Sequence, residues 1–205
     1  MSFFAVADAI GLMTFAVSGY LAGVRKELDL LGVVIAAYLT ALGGGIVRDV
    51  MVGHTPIAFL ESSVHLFVLA GIVAAYLFKL HAKARLERHK LFMLSDSIGL
   101  VSFAMTGALT GLEAEFNLFG TMLLAFVTAV GGGMVRDTMI GEVPMVLTSD
   151  IYGTIALLIG LILFMCDRFE CLGPISLALT AGGALAIRIL AYKKGWHLPK
   201  FGVKR

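Results

Sequence analysis

The chain repeats one phrase, GGGIVRDVMVGHTP at residues 43–56 and GGGMVRDTMIGEVP at residues 131–144. Each copy places three glycines in an apolar run and follows them with an Arg-Asp pair, a glycine and a proline. The offset of 88 residues holds through the whole phrase without an insertion or a deletion. Glycine triplets and charged pairs are both costly within a membrane helix, so their repetition marks the candidate functional centre.

The composition is that of a membrane protein. Of the 205 residues, 59% are hydrophobic and 15% are charged, whereas a soluble domain is about half apolar and a quarter charged. Mean hydropathy is +0.95. A span needs about 20 apolar residues, and the chain offers seven such stretches, at 4–24, 31–51, 59–79, 92–112, 118–138, 148–166 and 173–192. The first lacks a preceding basic segment and contains Asp8, which indicates a span and not a cleaved signal peptide.

The offset of 88 residues also relates the first span to the fourth, so a unit of three spans is duplicated. Because three is an odd number, the second copy starts on the opposite side of the membrane. The sequence therefore predicts an all-α integral membrane protein with seven transmembrane helices, arranged as two inverted three-helix repeats plus a seventh helix. A pseudo-two-fold axis in the membrane plane relates the two repeats. The predicted divisions are the first repeat at 1–80, a basic cytoplasmic linker at 81–91, the second repeat at 92–168, the seventh helix at 169–192 and a basic cytoplasmic tail at 193–205.

Most of the 16 Lys and Arg residues fall in the loops on one face. The positive-inside rule then predicts an outside N-terminus and a cytoplasmic C-terminus in a prokaryotic inner membrane. The basic segment at 81–90 is open to two interpretations, a lipid-binding site or an ordinary topology determinant, and the second is favoured. Cys166 and Cys171 lie between spans six and seven, where two reduced thiols are favoured over a disulfide.

Two interpretations of the glycine triplets are open. Glycines in membrane helices permit close helix packing. Alternatively, the triplets kink or break spans two and five, so that exposed backbone lines a polar cavity, the one setting in which irregular backbone is tolerated at membrane depth. The second interpretation is favoured because charge follows at once in both copies. It makes candidate pore-lining residues of Gly43, Gly44, Gly45, Gly131, Gly132 and Gly133.

The ionisable pairs are Arg48 with Asp49 and Arg136 with Asp137. Charged residues within spans face the protein interior or a water-filled path. The pairs either act as local salt bridges, or their arginines extend to the interface, or the carboxylates meet a passing cation. A fourth interpretation is that Arg and Asp together clamp a zwitterion.

Spans one and four each have a polar face, because Asp8 and Ser18 recur as Asp96 and Thr106. The spacing places these residues on one side of a helix. The aspartates are either acids near a helix N-terminus, which the helix dipole favours, or groups that face the pathway. The aligned pair Thr40 and Thr128 completes the candidate polar pore residues.

No set of a nucleophile, a base and an acid, no phosphate-binding loop and no Cys/His cluster with metal-ligand spacing is visible in the sequence. We therefore expect neither an enzyme nor a cofactor. The duplicated unit, the GGGxVRD phrase and the added seventh span resemble the prokaryotic branch of the trimeric intracellular cation (TRIC) channels, which overlaps a bacterial family labelled as glycine transporters. The resemblance covers about residues 1–192.

The resemblance implies a homotrimer with one pore in each protomer. Spans two and five, kinked at the glycine triplets, and parts of spans one and four would line the pore. It also implies passive conduction of monovalent cations, chiefly potassium. The residues alone leave open a channel, a secondary transporter of a small zwitterion such as glycine, and a non-conducting scaffold; the resemblance favours the channel. The expected partners are other copies of the chain, membrane lipid and permeant potassium or sodium, without nucleic acid.

Overall fold

The computed structural model describes residues 3–148 and 151–196, and the described chain is helical. Its helices are α1 (Phe3–Arg25), α2 (Leu30–Met51), α3 (Ser62–Leu77), α4 (Arg85–Glu113), α5 (Leu118–Met139), the short α6 (Met145–Thr148), α7 (Gly153–Arg168) and α8 (Pro174–Lys194). Two 3₁₀ turns, Ile57–Phe59 and Leu80–Ala82, precede and follow α3. The offset of 88 residues maps the bounds of α2 onto those of α5.

The repeated phrase ends α2 and α5 in the same way. Gly53 and Gly141 follow these helices with φ of 79° and 69°, in the left-handed region that favours glycine. The N–H of His54 donates to the carbonyl of Asp49 at 2.9 Å, and that of Glu142 donates to the carbonyl of Asp137 at 2.8 Å. These are Schellman-type helix ends, so the glycine that closes the phrase is a stop signal.

Within the described residues, five helices are long and apolar enough to cross a membrane, namely α1, α2, α4, α5 and α8. The spans predicted at 59–79 and 148–166 form shorter helices, α3 and α7, of 16 residues each. Sixteen residues reach about 24 Å, less than the roughly 30 Å of a hydrocarbon core. The first residue of each predicted span, 59 or 148, instead ends the short helical turn that follows Pro56 or Pro144.

Two of the predicted divisions, the linker and the tail, overlap helices in the structure. Helix α4 begins at Arg85, inside the segment predicted as a linker at 81–91. The tail predicted at 193–205 begins in the last turn of α8, and its residues 197–205 lie outside the described part of the chain.

Of the two distortions predicted at the glycine triplets, a kink or a break, the break does not occur. Both α2 and α5 remain hydrogen-bonded helices through all three glycines. A Cβ atom at Gly44 would overlap the carbonyl oxygen of Thr128, and one at Gly132 would overlap that of Thr40. The middle glycines therefore let two helix backbones cross in contact, which is the packing use of glycine in membranes.

A second crossing joins α1 to α4 in the same manner. The ring of Phe103 lies where a side chain of Gly11 would be, and the ring of Phe15 does so at Gly99. The two rings meet edge to face with centroids 5.1 Å apart. Shifting either contact by 88 residues produces the other, so each repeat contacts its partner through equivalent positions. Around these crossings lies the buried core, with α8 packed outside against α4 and α7.

Candidate functional site

Two charged clusters flank the crossing of α2 and α5. We call Asp8, Arg48 and Asp49 the first half-site, and Asp96, Arg136 and Asp137 the second half-site. In the first, Arg48 donates through Nε to Asp49 at 2.8 Å and through Nη1 to Asp8 at 3.0 Å. In the second, Arg136 donates to Asp137 at 2.8 Å and to Asp96 at 3.0 Å. Each half-site thus holds two carboxylates for one guanidinium.

The arginines do not extend to the interface. The side chain of Arg48 is 3% exposed and that of Arg136 is 0% exposed. Such burial is tolerated because both guanidiniums pair with carboxylates inside their own repeat. The structure therefore supports the local salt-bridge interpretation and excludes snorkelling for both arginines.

The second aspartate of each half-site also holds the loop that follows its helix. The Oδ2 atom of Asp49 accepts the backbone N–H of Ile57 at 2.9 Å, and that of Asp137 accepts the N–H of Met145 at 2.9 Å. Each carboxylate so joins the end of one helix to the helical turn beyond the proline. The arginine and that turn are thereby linked through one carboxylate.

An aromatic ring lies beside each guanidinium. The Arg48 guanidinium carbon is 5.2 Å from the centroid of the Phe4 ring, and that of Arg136 is 5.0 Å from the Phe92 ring. Stacking of this kind stabilises a cation out of water. Neither phenylalanine was among the predicted site residues, although the offset of 88 residues relates Phe4 to Phe92 and is the signal that identifies them.

The aspartates on α1 and α4 are not acids of a helix N-terminus. Asp96 lies about three turns inside α4, because that helix starts at Arg85 and not at the predicted residue 92. Asp8 lies in the second turn of α1. Their carboxylates instead meet the arginine of the neighbouring helix, so the ion pair and not the helix dipole explains their presence.

The two half-sites differ in how far cavities and solvent reach them. A cavity of about 650 Å³ reaches Arg48 and Asp49, and Asp8 is 18% exposed. A smaller space of about 20 Å³ continues from Asp8 towards Gly45, with room for about one water molecule. In contrast, Asp96 is 1% exposed. The pocket beside Asp137 has a volume of about 0 Å³.

Contacts that have no equivalent at the first half-site seal the second half-site. Ser18 donates to Asp96 at 3.0 Å and accepts from Arg136 at 2.8 Å. Its aligned residue, Thr106, donates instead to the carbonyl of Phe103 in its own helix at 3.2 Å. Tyr152, which is 2% exposed, closes the other side of the second half-site.

A further ion pair lies beyond the second half-site. Glu142, in the loop after α5, pairs with Arg25 and with Lys26, the latter at 3.1 Å. The guanidinium of Arg25 also lies 5.2 Å from the ring of Phe92, which is therefore placed between two arginines. The positions that correspond to Glu142 and Arg25 are His54 and Glu113, and both face the 650 Å³ cavity.

The remaining predicted site residues have packing positions. Thr40 and Thr128 are fully buried, and each donates at 2.6 Å to a carbonyl of its own helix. A Cβ atom at Gly43 would lie 3.0 Å from the Cα atom of Gly132, within the helix crossing. The last glycine of each triplet faces an arginine, and Gly45 borders the 20 Å³ space.

Comparisons with known proteins agree with a membrane protein built from two repeats. The profile of a family described as "Glycine transporter" matches residues 5–80 and 93–168, which are the two repeats. A membrane protein of Deinococcus radiodurans is 36% identical over 202 residues, which cover 97% of this chain and 90% of that one. With the apolar helices, this similarity indicates an integral membrane protein.

Two solved structures share the fold. A prokaryotic TRIC channel, crystallised in 0.5 M KCl, is 32% identical with a TM-score of 0.87, and the match covers 95% of this chain and 98% of that one. The TRIC trimeric intracellular cation channel orthologue from Rhodobacter sphaeroides is 30% identical with a TM-score of 0.86, over 96% of this chain and 100% of that one.

Proposed function

Because this chain belongs to the prokaryotic TRIC cation channel family, which overlaps the family described as glycine transporters, we propose that it conducts monovalent cations passively, chiefly potassium. The observation that carries the proposal is the charge of the half-sites. Two carboxylates face one guanidinium in each, which leaves a net negative charge at both ends of the helix crossing. Fixed negative charge along a pathway favours cations over anions.

The proposed assembly is a homotrimer with one pore inside each protomer, as the trimeric relative suggests. Seven helices cross the membrane as two inverted repeats plus α8, with α3 and α7 as the two short crossings. The N-terminus is outside and the C-terminus is cytoplasmic, in agreement with the distribution of Lys and Arg. In this orientation the first half-site lies at the outer mouth and the second at the cytoplasmic mouth.

The described conformation corresponds to a channel that is closed on its cytoplasmic side. A cation enters the 650 Å³ cavity and reaches the carboxylates of Asp49 and Asp8. It proceeds past Gly45, where the missing side chain leaves room beside Arg48. Beyond the helix crossing, the hydrogen bonds of Ser18 close the route at the second half-site.

Opening requires the second half-site to become hydrated. In the closed arrangement Oδ2 of Asp96 and Nη2 of Arg136 are buried without a hydrogen-bond partner among the described residues. Unpaired buried polar groups are unfavourable by about 1–3 kcal/mol each, so water that enters would stabilise the open arrangement. Release of Glu142 from Arg25 and Lys26 frees the loop that Asp137 holds through Met145.

A secondary transporter of a small zwitterion is the second candidate. A site that is open on one side and sealed on the other, between two related repeats, is also what alternating access requires. Against it stands the pairing of the arginines, since both guanidiniums already bind two carboxylates and offer little to the carboxylate of a substrate.

Purified protein in a planar bilayer between unequal potassium chloride solutions distinguishes the candidates. We expect unitary currents that reverse near the potassium equilibrium potential. We also expect Asp49→Asn to lower conductance or cation selectivity, whereas Glu61→Gln, an exposed carboxylate on the same side of the protein, leaves both unchanged. Absence of currents together with saturable, competable glycine uptake into liposomes from the same preparation would overturn the channel in favour of the transporter.

A further inference from the structure

Three helices of the chain, α1, α4 and α7, end in the same turn. A glutamate in the left-handed conformation follows each helix, namely Glu27, Glu115 and Glu170, with φ of 54–55°. The N–H of the next residue then donates back to a carbonyl five positions earlier. This pattern is the Schellman motif, in which the side chains of the two residues joined by that hydrogen bond commonly contact each other.

The paired residues differ among the three turns. At the end of α1 they are Gly23 and Leu28, and at the end of α4 they are Gly111 and Phe116. At the end of α7 both are cysteines, since the N–H of Cys171 donates to the carbonyl of Cys166 at 2.9 Å. The N–H of Glu170 donates to the carbonyl of Asp167 at 3.0 Å, which completes the motif.

This turn thus brings two thiols together by its backbone geometry. The Cα atoms of a disulfide stand about 4.4–6.8 Å apart, and a backbone hydrogen bond between the same two residues holds them in that range. Both cysteines are free, Cys166 is half-buried and Cys171 is exposed. The exposed thiol is open to an oxidant, and its neighbour is in position to complete the bond.

We propose that Cys166 and Cys171 are a redox modification site that forms a reversible intramolecular disulfide by exchange with a disulfide oxidant. The Cys171 thiolate attacks one sulfur of the oxidant and releases its first thiolate. The Cys166 thiolate then attacks the sulfur of Cys171 in the mixed disulfide and releases the second. The cysteines lose two protons and two electrons, and the oxidant is reduced to two thiols.

The location and size of the ring indicate its role. In the proposed topology the turn lies on the outer face, where disulfides persist. A ring of six residues constrains the unfolded chain far less than a long loop does, so the bond is not mainly a stabiliser of the fold. It fixes the turn between α7 and α8, and exposure of Cys171 leaves the bond open to reduction.

The test uses the full-length protein in detergent, incubated with reduced dithiothreitol or with oxidised glutathione, then acid-quenched and labelled with a maleimide polymer. We expect two labels on the reduced chain, none on the oxidised chain, and an intact mass lower by two hydrogens. Cys166→Ser and Cys171→Ser are the controls; each retains one thiol, free or as a glutathione adduct. Two labelled thiols after oxidation, or disulfides formed only between chains, would overturn the proposal.

A second measurement addresses the outer face. Cells that express the protein are acidified to trap the thiols and are then labelled in the same way. We expect the chain from cells to be oxidised and to gain two labels only after reduction. If the purified protein forms the bond but the chain in cells is fully reduced, the outer location is wrong. Neither result depends on whether the protein conducts ions.

Discussion

Alanine substitution within one glycine triplet separates helix packing from helix breaking. A methyl group at Gly44 would overlap the carbonyl oxygen of Thr128 and would stand 3.3 Å from the ring of Phe103. A methyl group at Gly45, the adjacent residue, has the Arg48 side chain as its nearest neighbour at 4.0 Å. The two variants carry the same chemical change in the same helix, so only the local contact differs.

The contacts predict that Gly44→Ala destabilises the protein and that Gly45→Ala stabilises it. Replacing a helical glycine by alanine stabilises the helix by about 1 kcal/mol, and Gly45→Ala keeps this gain. Overpacking costs about 1–3 kcal/mol, and the upper end applies to Gly44→Ala because both sides of the overlap are helix backbone, which cannot rotate away. The net effect is then about 2 kcal/mol of destabilisation. In a chain of this size it lowers the melting temperature by about 4–8 °C.

Thermal unfolding in detergent, followed by size-exclusion fluorescence, measures the difference. The second triplet offers an independent copy, since Gly132→Ala corresponds to Gly44→Ala and Gly133→Ala corresponds to Gly45→Ala. We expect melting temperatures to fall for the first pair and to stay or rise for the second pair. Equal shifts for Gly44→Ala and Gly45→Ala, or a greater loss at Gly45, would refute the packing argument.

Two further predictions concern charge. Asp96→Asn weakens the hydrogen bonds that this buried carboxylate accepts from Ser18 and Arg136, so we expect it to destabilise the fold by about 1.5–3 kcal/mol. Asp8→Asn makes the same change at a carboxylate that is 18% exposed, so we expect a smaller loss; equal melting temperatures for the two variants would contradict this. Glu142→Gln removes the ion pairs with Arg25 and Lys26, which are partly exposed, so we expect little change in stability. We expect a higher open probability in bilayers, with His54→Gln as the control. An unchanged open probability would show that Glu142 does not stabilise the closed arrangement.

The repeated phrase predicts much of the helix arrangement. An offset that holds without gaps implies equivalent helices, and the bounds of α2 and α5 obey it to the residue. The resemblance to TRIC channels is confirmed by solved relatives at 30% and 32% identity. These features are readable because apolar length, turn residues and internal repetition are local properties of a sequence.

The helix break could not be rejected from the sequence. Helix propensity describes an isolated helix, where three glycines are unfavourable. The crossing at Gly44 and Gly132 offsets that cost through backbone contact with a helix 88 residues away in sequence. The sequence does not distinguish a glycine that weakens a helix from one that allows a second helix to pack closely, because the difference depends on where the second helix lies.

The alignment of the two repeats also does not predict the contacts of Ser18 in the second half-site. It pairs Ser18 with Thr106, because they hold equivalent positions in the two repeats. In the fold Ser18 contacts Asp96 and Arg136, residues of the opposite repeat. Internal repetition identifies equivalent residues, but contacts between the repeats depend on how the two copies are docked.

A repeated sequence predicts equal halves, yet the halves of this protein are in different states. The same three charged groups and the same loop contact form one half-site that borders a cavity and one that is buried. Arg48 therefore borders a cavity while it keeps its ion pairs and its contact with Phe4, and Asp49 keeps its hydrogen bond to the following turn. Since Arg136 sits in an equivalent frame, we infer that the first half-site displays the geometry that the second adopts on opening. In the proposed channel, the contacts that Ser18, Tyr152 and Glu142 add at the second half-site then account for the barrier to opening.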